Sequence, residues 1–262
     1  MINSKTITRN NSQCYLIIHG LTVIVAFIIV MILINLKNYL LFHCIMELFS
    51  ILIAFTIYII IINSARNNNT NKYMVLLGVS YIFIGIFDVL HMLSMEDMGV
   101  FPGHTANQTA QLWIIARFIE SISLLLTVAL FKNNINIYLT IGIYSAFSAI
   151  MLLCVFLWKA FPDCYIEGTG FTDFKIICEY IIIAVLASAI FVSSIQKKHM
   201  DPKVYYFMLA SFILIILSEV AFICSSRMFE IFMTIGHIIK VFSYYCMYKA
   251  IVEVNLTLPY KE

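Results

Sequence analysis

Charged residues, glycine and proline are scarce in this chain of 262 residues. Lys, Arg, Asp and Glu make up 11% of it, with 9 Gly and 4 Pro, whereas about 25% of an average soluble domain is charged. Hydrophobic residues supply 62%, and the mean hydropathy is +0.96. This composition excludes an ordinary soluble enzyme and a disordered segment. At about 20 residues per span, the length allows at most about ten membrane spans, so we expect residues 1–262 to form a single transmembrane domain.

A strong basic charge and paired cysteines are also lacking. The 16 Lys and Arg residues against 14 Asp and Glu residues give a net charge of +2, too little for the positive field that nucleic-acid binding requires. The 7 Cys residues are odd in number and form no C-x-x-C pair, so a disulfide framework is not expected. We therefore expect no nucleic-acid partner, and cysteines that serve mostly as small apolar residues in helices.

Apolar runs separated by polar clusters predict eight membrane spans. They cover residues 14–36, 39–63, 73–94, 108–131, 136–158, 173–195, 204–225 and 229–251. Backbone polar groups cannot stay unpaired in lipid, and the runs lack the short alternating pattern of barrel strands. We therefore predict an all-α, polytopic integral membrane protein, a bundle of about eight transmembrane helices. The first run is too long for a signal peptide and lacks a cleavage site, so we expect it to be retained.

The flanking positive charges predict the orientation. With the N-terminus in the cytoplasm, ten Lys and Arg residues lie inside and four outside, which the positive-inside rule favours. The ten are Lys5, Arg9, Arg66, Lys72, Lys132, Lys197, Lys198, Lys203, Lys249 and Lys261, and the four are Lys37, Lys159, Lys175 and Arg227. Both termini are then cytoplasmic.

Ionisable residues inside the predicted spans are the main functional signal. Such groups cost a few kcal/mol each on insertion scales and mark a functional site by default. All of them fall in the half of their span nearer the outside, which predicts a polar, ligand-binding cavity open outward and closed toward the cytoplasm. The candidate ligand-binding residues are His43, Glu47, Asp88, His91, Arg117, Glu120, Glu179, Glu219, His237 and Lys240. The alternative is a structural ion-pair network that fixes helix packing.

The charges of these residues do not balance. Five are acids, whereas Arg117 and Lys240 are the two fixed cations. Some carboxyls are therefore protonated, or the histidines are charged, or a cation occupies the site. Trp113, Tyr180 and Tyr244 lie near the polar positions in sequence, where they are placed to line an apolar pocket.

Several chemistries are open to such a site. His43 and Glu47 have helical metal-ligand spacing, and His91 and His237 could complete a metal shell or ligate a haem, but no H-E-x-x-H or cysteine partner strengthens this signal. A transporter would require broken helices, and the spans contain no Pro. A hydrolase would require a nucleophile elbow such as G-x-S-x-G, which is lacking. The sequence names no cofactor.

Eight stretches in order resemble the third type of bacterial membrane-associated sensor domain. They are Phe42–Ser50, Gly85–His91, Gly99–Gly103, Gln111–Ser121, Phe161–Gly168, Phe174–Tyr180, Ser218–Phe222 and Gly236–Lys240. The resemblance runs from span two to the end of the chain. It implies an integral-membrane input module that stands ahead of cytoplasmic PAS, histidine-kinase or diguanylate-cyclase modules in signalling proteins.

The leading interpretation is thus a non-enzymatic sensor in the bacterial cytoplasmic membrane. It would bind an unidentified small extracellular or membrane-dissolved ligand in the outer polar cavity and signal through span eight. No output domain is expected within residues 1–262, so the output would act in cis or in trans, and a homodimer is compatible with this interpretation. The alternatives are a transporter or ion-conducting protein, and a membrane protein with a His-ligated haem or metal.

Overall fold

A computed structural model describes residue 22 and residues 24–66, 74–101, 103, 105–131, 133, 135–225 and 230–257. Eight long helices account for most of these residues. They are α1 (Ile24–Lys37), α2 (Tyr39–Arg66), α3 (Met74–Leu93), α4 (Ala106–Ala129), α5 (Ile137–Leu152), α6 (Asp173–Gln196), α7 (Pro202–Ile223) and α8 (Ile231–Val252). The all-α prediction is therefore confirmed, and each predicted span from the second to the eighth coincides with one helix to within a few residues.

Six helices are long and apolar enough to cross a membrane. They are α2, α3, α4, α7, α5 with the π-helical turn that extends it to Leu157, and α6 with the short 3-10 helix that extends it to His199. The chain is thus a multi-pass membrane protein. The described part of α1 is shorter, and α8 falls outside the six, so the crossing of these two helices stays a prediction. Residues 14–21 of the first predicted span lie outside the described residues.

The chain divides into two compact units, residues 1–42 and residues 43–262. In the first unit, the backbone amide of Asn38 bonds to the carbonyl of Ile34 at 2.8 Å, and the Asn38 side chain accepts the amide of Leu41 at 2.9 Å. Asn38 thus satisfies backbone groups where α1 ends and α2 begins.

In the second unit, α3 and α4 are the most buried helices and α5 is the least buried. The core is built mainly from apolar side chains of α2, α3, α4, α6, α7 and α8. Most of α5 is exposed, with Thr140 and Ser148 as its buried residues, which suits a helix that faces lipid on most of its circumference.

Local sequence sets where several of these helices begin. The side chain of Gln108 accepts the backbone amide of Thr105 at 2.9 Å at the start of α4. Asp201 accepts the amide of Lys203 at 2.8 Å at the start of α7, where Pro202 occupies the first turn. These are the residue types that satisfy the free amides of a helix N-terminus.

A small hairpin connects α5 to α6. Strand β1 (Tyr165–Ile166) pairs antiparallel with β2 (Gly170–Phe171), and Gly168 turns the chain with a φ of 80°, a conformation that glycine adopts without strain. Cys164, just before β1, is buried, and burial raises the pKa of its thiol to about 12. It and the five other described cysteines form no disulfide.

Gly236 on α8 is a point of close helix packing. A Cβ atom at this position would lie 2.7 Å from ring carbons Cδ1 and Cζ of Phe222 on α7, and the ring is buried. We expect Gly236→Ala to destabilise the protein by about 1–3 kcal/mol because the core is overpacked there. Gly142→Ala on α5 is the control: nothing lies within 4 Å of its added Cβ, so improved helix propensity should leave stability unchanged or raise it by up to about 1 kcal/mol. Thermal unfolding in detergent measures both, and equal effects would contradict the prediction.

Candidate functional site

Polar side chains of α2, α3, α4 and α8 meet in one buried cluster, which we call the polar network. Its members are His43, Glu47, Asp88, His91, Arg117, Glu120, His237, Lys240 and Tyr244. At its centre, the Nζ atom of Lys240 lies 2.7 Å and 3.0 Å from the two carboxylate oxygens of Glu47. The same ammonium lies 3.4 Å from Oδ1 of Asp88. Lys240 therefore joins α8 to both α2 and α3.

Arg117 of α4 extends the polar network. Its guanidinium contacts Oδ1 of Asp88 at 2.7 Å and pairs with Glu120 one turn further along its own helix. It also donates to the hydroxyl of Tyr244 at 3.1 Å, and that hydroxyl donates to Oδ2 of Asp88 at 3.1 Å. Asp88 thus receives hydrogen bonds from two helices, which is how a buried carboxylate is kept satisfied.

Trp113 packs against both cations of the polar network. The guanidinium carbon of Arg117 lies 4.7 Å from a Trp113 ring centroid, and the ammonium of Lys240 lies 4.6 Å from one. An indole face attracts a cation through its quadrupole, and the attraction is stronger where water is excluded. Trp113 and Tyr244 therefore contact the charged groups of the polar network, whereas Tyr180 is 58% exposed and its predicted place in an apolar pocket was wrong.

Three histidines lie beside Glu47. The Nε2 atoms of His43 and His91 are 3.2 Å apart, and the rings of His43 and His237 have centroids 4.7 Å apart. Nδ1 of His237 lies 3.2 Å from Oε1 of Glu47, so this carboxylate faces an imidazole as well as Lys240.

A second, smaller ion pair lies on α6. The ammonium of Lys175 is 2.6 Å from Oε1 of Glu179, 3.2 Å from the carbonyl oxygen of Phe222, and 4.0 Å from the ring centroid of Phe171. Glu219 of α7 is buried close to both groups. It interacts electrostatically with Glu179 of the ion pair and with Arg117 of the polar network. Its Oε2 atom makes no hydrogen bond among the described residues.

All ten candidate residues are buried at the same end of the second unit, none more than 6% exposed. The structure brings them together in two groups. Glu179 pairs with Lys175 on α6, whereas Glu47 and Asp88 lie at the centre of the polar network, where both contact Lys240. The side chains also pack against one another, so this structure has a closed cluster where an outward-opening cavity was predicted.

Lys175 is a site residue that sequence reasoning missed, because it was counted as a charge flanking span six. The signal was present, since Lys175 and Glu179 are four residues apart and share one face of a helix. With Lys175 included, the described buried residues carry five carboxylates and three fixed cations. The difference of two formal negative charges is smaller than the sequence alone suggested.

The opposite half of the second unit contains no buried charge among the described residues. Its buried polar groups are hydroxyls and one amide, such as Ser80, Ser193, Ser211 and Asn255. Several bond within their own helices: the hydroxyl of Ser80 donates to the carbonyl of Leu77, and the side-chain amide of Asn255 donates to the carbonyl of Ile251. Among the described residues, buried charge is therefore confined to one end.

The polar network has groups that could hold a cation. One ligand atom from each of His43, Glu47 and His91 lies within 4.8 Å of the others. Imidazole and carboxylate together are ligands that divalent transition metals accept.

Comparison with known families gives one match. A family model described as membrane-associated sensor domain (MASE3) matches residues 34–259, which is most of the chain and includes all ten candidate residues. Among the curated proteins and the solved structures, no relative matches the chain.

Proposed function

The chain belongs to the membrane-associated sensor domain family, and we propose that it senses a small molecule or ion at the polar network and reports this event through α8. The input domain itself is non-enzymatic in this proposal. The ligand enters from the outside or from the membrane, and its binding rearranges the paired charges.

The observation that carries the proposal is the contact of α8 with the rest of the polar network. Lys240 pairs with Glu47 of α2, and Tyr244 bonds to Asp88 of α3. Any ligand that competes for these carboxylates changes the contacts that hold α8 in its position. A ligand shifts a conformational equilibrium only by its differential interaction with the two states, and these contacts supply such a difference.

The continuity of α8 supports its role as the output element. The helix runs from Ile231 to Val252 and continues as a π-helical turn over Glu253–Thr257. No Gly or Pro occurs between Lys240 and Pro259, so the segment lacks the residues that most often kink a helix. A displacement at Lys240 is therefore carried along about 18 Å of helix to Val252, at 1.5 Å per residue.

The confinement of buried charge to one end favours a sensor over the transporter alternative. A path for ions or protons across the membrane is expected to carry ionisable groups in both halves, whereas the described buried polar groups of the opposite half are uncharged hydroxyls and one amide. The proposal therefore keeps the orientation expected from the sequence, with the charged end outside, both termini in the cytoplasm and the chain in the bacterial cytoplasmic membrane. A PAS, histidine-kinase or diguanylate-cyclase module receives the signal in cis or in trans, within a homodimer where the output requires one.

Inserting alanines into the output end of α8 tests the proposal. A diguanylate cyclase is fused after Thr257, and one, two or three alanines are inserted after Ile251. Each added residue rotates the downstream helix and the fused cyclase by about 100°, so we expect cyclase activity to change with the insertion and to vary between the three lengths. The control is the same insertion after Lys198, between α6 and α7, which does not lie on α8. Equal activity of all α8 insertions and the parent fusion would overturn the role of α8.

A further inference from the structure

The hydrogen bond between His91 and Thr109 fixes the tautomer of His91. Nδ1 of His91 lies 2.8 Å from the backbone carbonyl oxygen of Thr109. A carbonyl oxygen only accepts, so Nδ1 carries the proton and donates it. In the neutral ring, Nε2 of His91 is then unprotonated, and its lone pair faces the cluster. Histidines that bind metals show this same arrangement, with the second ring nitrogen donating to a carbonyl or carboxylate.

The Thr109 carbonyl is itself held in place. The hydroxyl of Thr109 donates to the carbonyl of Ser94 at 2.9 Å, and the hydroxyl of Ser94 lies 3.2 Å from that of Thr109. These bonds join the end of α3 to the first turns of α4. His91 is therefore oriented by a buried group that is itself hydrogen-bonded.

The spacing of the ligand atoms suits a metal. The unprotonated Nε2 of His91 lies 3.2 Å from Nε2 of His43 and accepts a hydrogen bond from it. A metal held by both nitrogens would take the place of that proton. Two nitrogens bound to one tetrahedral Zn²⁺ at about 2.0–2.1 Å are about 3.3–3.4 Å apart. Glu47 has a carboxylate oxygen within 4.8 Å of a ring nitrogen of each histidine, so the three groups lie together.

We propose that His43, Glu47 and His91 bind one divalent transition-metal ion of the Zn²⁺ or Fe²⁺ class. Two imidazoles and one carboxylate form a recognised ligand set for both ions, and three protein ligands leave a position for water or a small exogenous ligand. The site goes beyond the proposed function: it stands whether the metal is the sensed species or a resident cofactor.

The charge of the buried groups agrees with this site. The described buried residues carry five carboxylates against Arg117, Lys175 and Lys240, which leaves two formal negative charges. A divalent cation is one way to compensate these charges, and protonation of buried carboxyls is another, because buried charges that lack compensation are costly.

Metal binding also has a structural consequence. Glu47 is paired with Lys240 at 2.7 Å, and a metal ion competes with Lys240 for the same carboxylate. Binding at α2 and α3 would therefore weaken the pair that holds α8. Lys240 opposes the metal, so its removal should tighten binding.

Zinc binding by the chain of residues 1–262 in detergent tests the proposal. The protein is purified through a tag without histidine, equilibrated with Zn²⁺ and measured by mass spectrometry for bound metal. We expect one equivalent per chain in the parent, loss of that equivalent in His43→Gln, and binding weakened about 10–100-fold in His237→Ala, which removes the group that faces Glu47. His199→Ala is the matched control, because His199 is exposed on the 3-10 helix after α6, and it should bind as the parent does.

If His43→Gln does not fold, two further measurements test whether the metal site exists. Co²⁺ titrated into His199→Ala should give the visible bands of a low-coordinate imidazole and carboxylate site, and Lys240→Gln should bind Zn²⁺ at least about tenfold more tightly than the parent while gaining thermal stability from it. Absence of Zn²⁺ from the parent, equal binding by His43→Gln, or an octahedral aqueous Co²⁺ spectrum would each overturn the site. Loss of metal binding would not by itself remove the role of α8, which the alanine insertions test separately.

Discussion

Replacing Arg117 by methionine is expected to destabilise the protein by about 3–5 kcal/mol and to lower its unfolding temperature in detergent by about 10 °C. Arg117 is buried, and it is the partner of both Asp88 and Glu120. Methionine fills similar space but leaves two carboxylates beside an apolar side chain. Removing one partner of a buried pair leaves an uncompensated charge, which costs far more than a lost contact.

The controls separate charge, geometry and position. Arg117→Lys keeps the charge but lacks the planar fork that reaches two carboxylates and Tyr244, so we expect an intermediate loss. Lys203→Gln breaks the pair of Lys203 with Glu253, whose atoms are 3.5 Å apart with the lysine side chain 64% exposed, and an exposed pair contributes about 0–1 kcal/mol. If Arg117→Met unfolded at the same temperature as Lys203→Gln, the polar network would not be the stabilising element that its burial implies.

The helices were predictable because their signal is local. An apolar run of about 20 residues between polar clusters is read directly from the sequence. The predicted spans differ from the observed helices at their ends, because the apolar pattern does not mark the last residue of a helix. Span two was predicted to end at residue 63, whereas α2 continues to Arg66. The three added residues, Ser64 to Arg66, are not strongly apolar and end in a basic residue, as helix C-termini often do.

The sequence predicted which residues belong to the candidate site better than it predicted which of them contact each other. Spacing along one helix indicates a pair such as Arg117 with Glu120, because residues three apart share a face. It gives no information on the partner from another helix. Lys240 bonds to Glu47, which lies 193 positions away in sequence, and this pairing depends on how α8 packs beside α2. Polar positions along the chain therefore indicate which groups converge, while the contacts follow from tertiary packing.

Lys175 shows how a topological rule can hide a site residue. Its position near the predicted start of span six made it one of the flanking cations outside the membrane. In the structure it is 2% exposed, because α6 begins at Asp173 and turns this side chain inward toward the carbonyl of Phe222. A count of flanking charges treats all basic residues as solvated, and this assumption fails for a lysine on the buried face of a helix.

Replacing Lys175 by methionine should therefore destabilise the protein about as strongly as the loss of Arg117, by about 3–5 kcal/mol. The substitution leaves Glu179 without the ammonium at 2.6 Å and adds to the negative charge that already acts on Glu219. Methionine keeps an aliphatic stem but loses the ammonium that contacts Glu179 and lies 4.0 Å from the Phe171 ring centroid, so most of the effect comes from the lost charge. Thermal unfolding in detergent measures it.

The double variant Lys175→Met with Glu179→Met distinguishes a charge effect from general damage to α6. Replacing both members of a buried ion pair by apolar residues of similar size is often neutral or stabilising, so we expect the double variant to recover most of the stability that Lys175→Met loses. The two residues lie one helical turn apart on the same face, and their effects should be strongly non-additive. A double variant less stable than Lys175→Met alone would show that Glu179 stabilises α6 without Lys175, and that the two residues do not act as a pair.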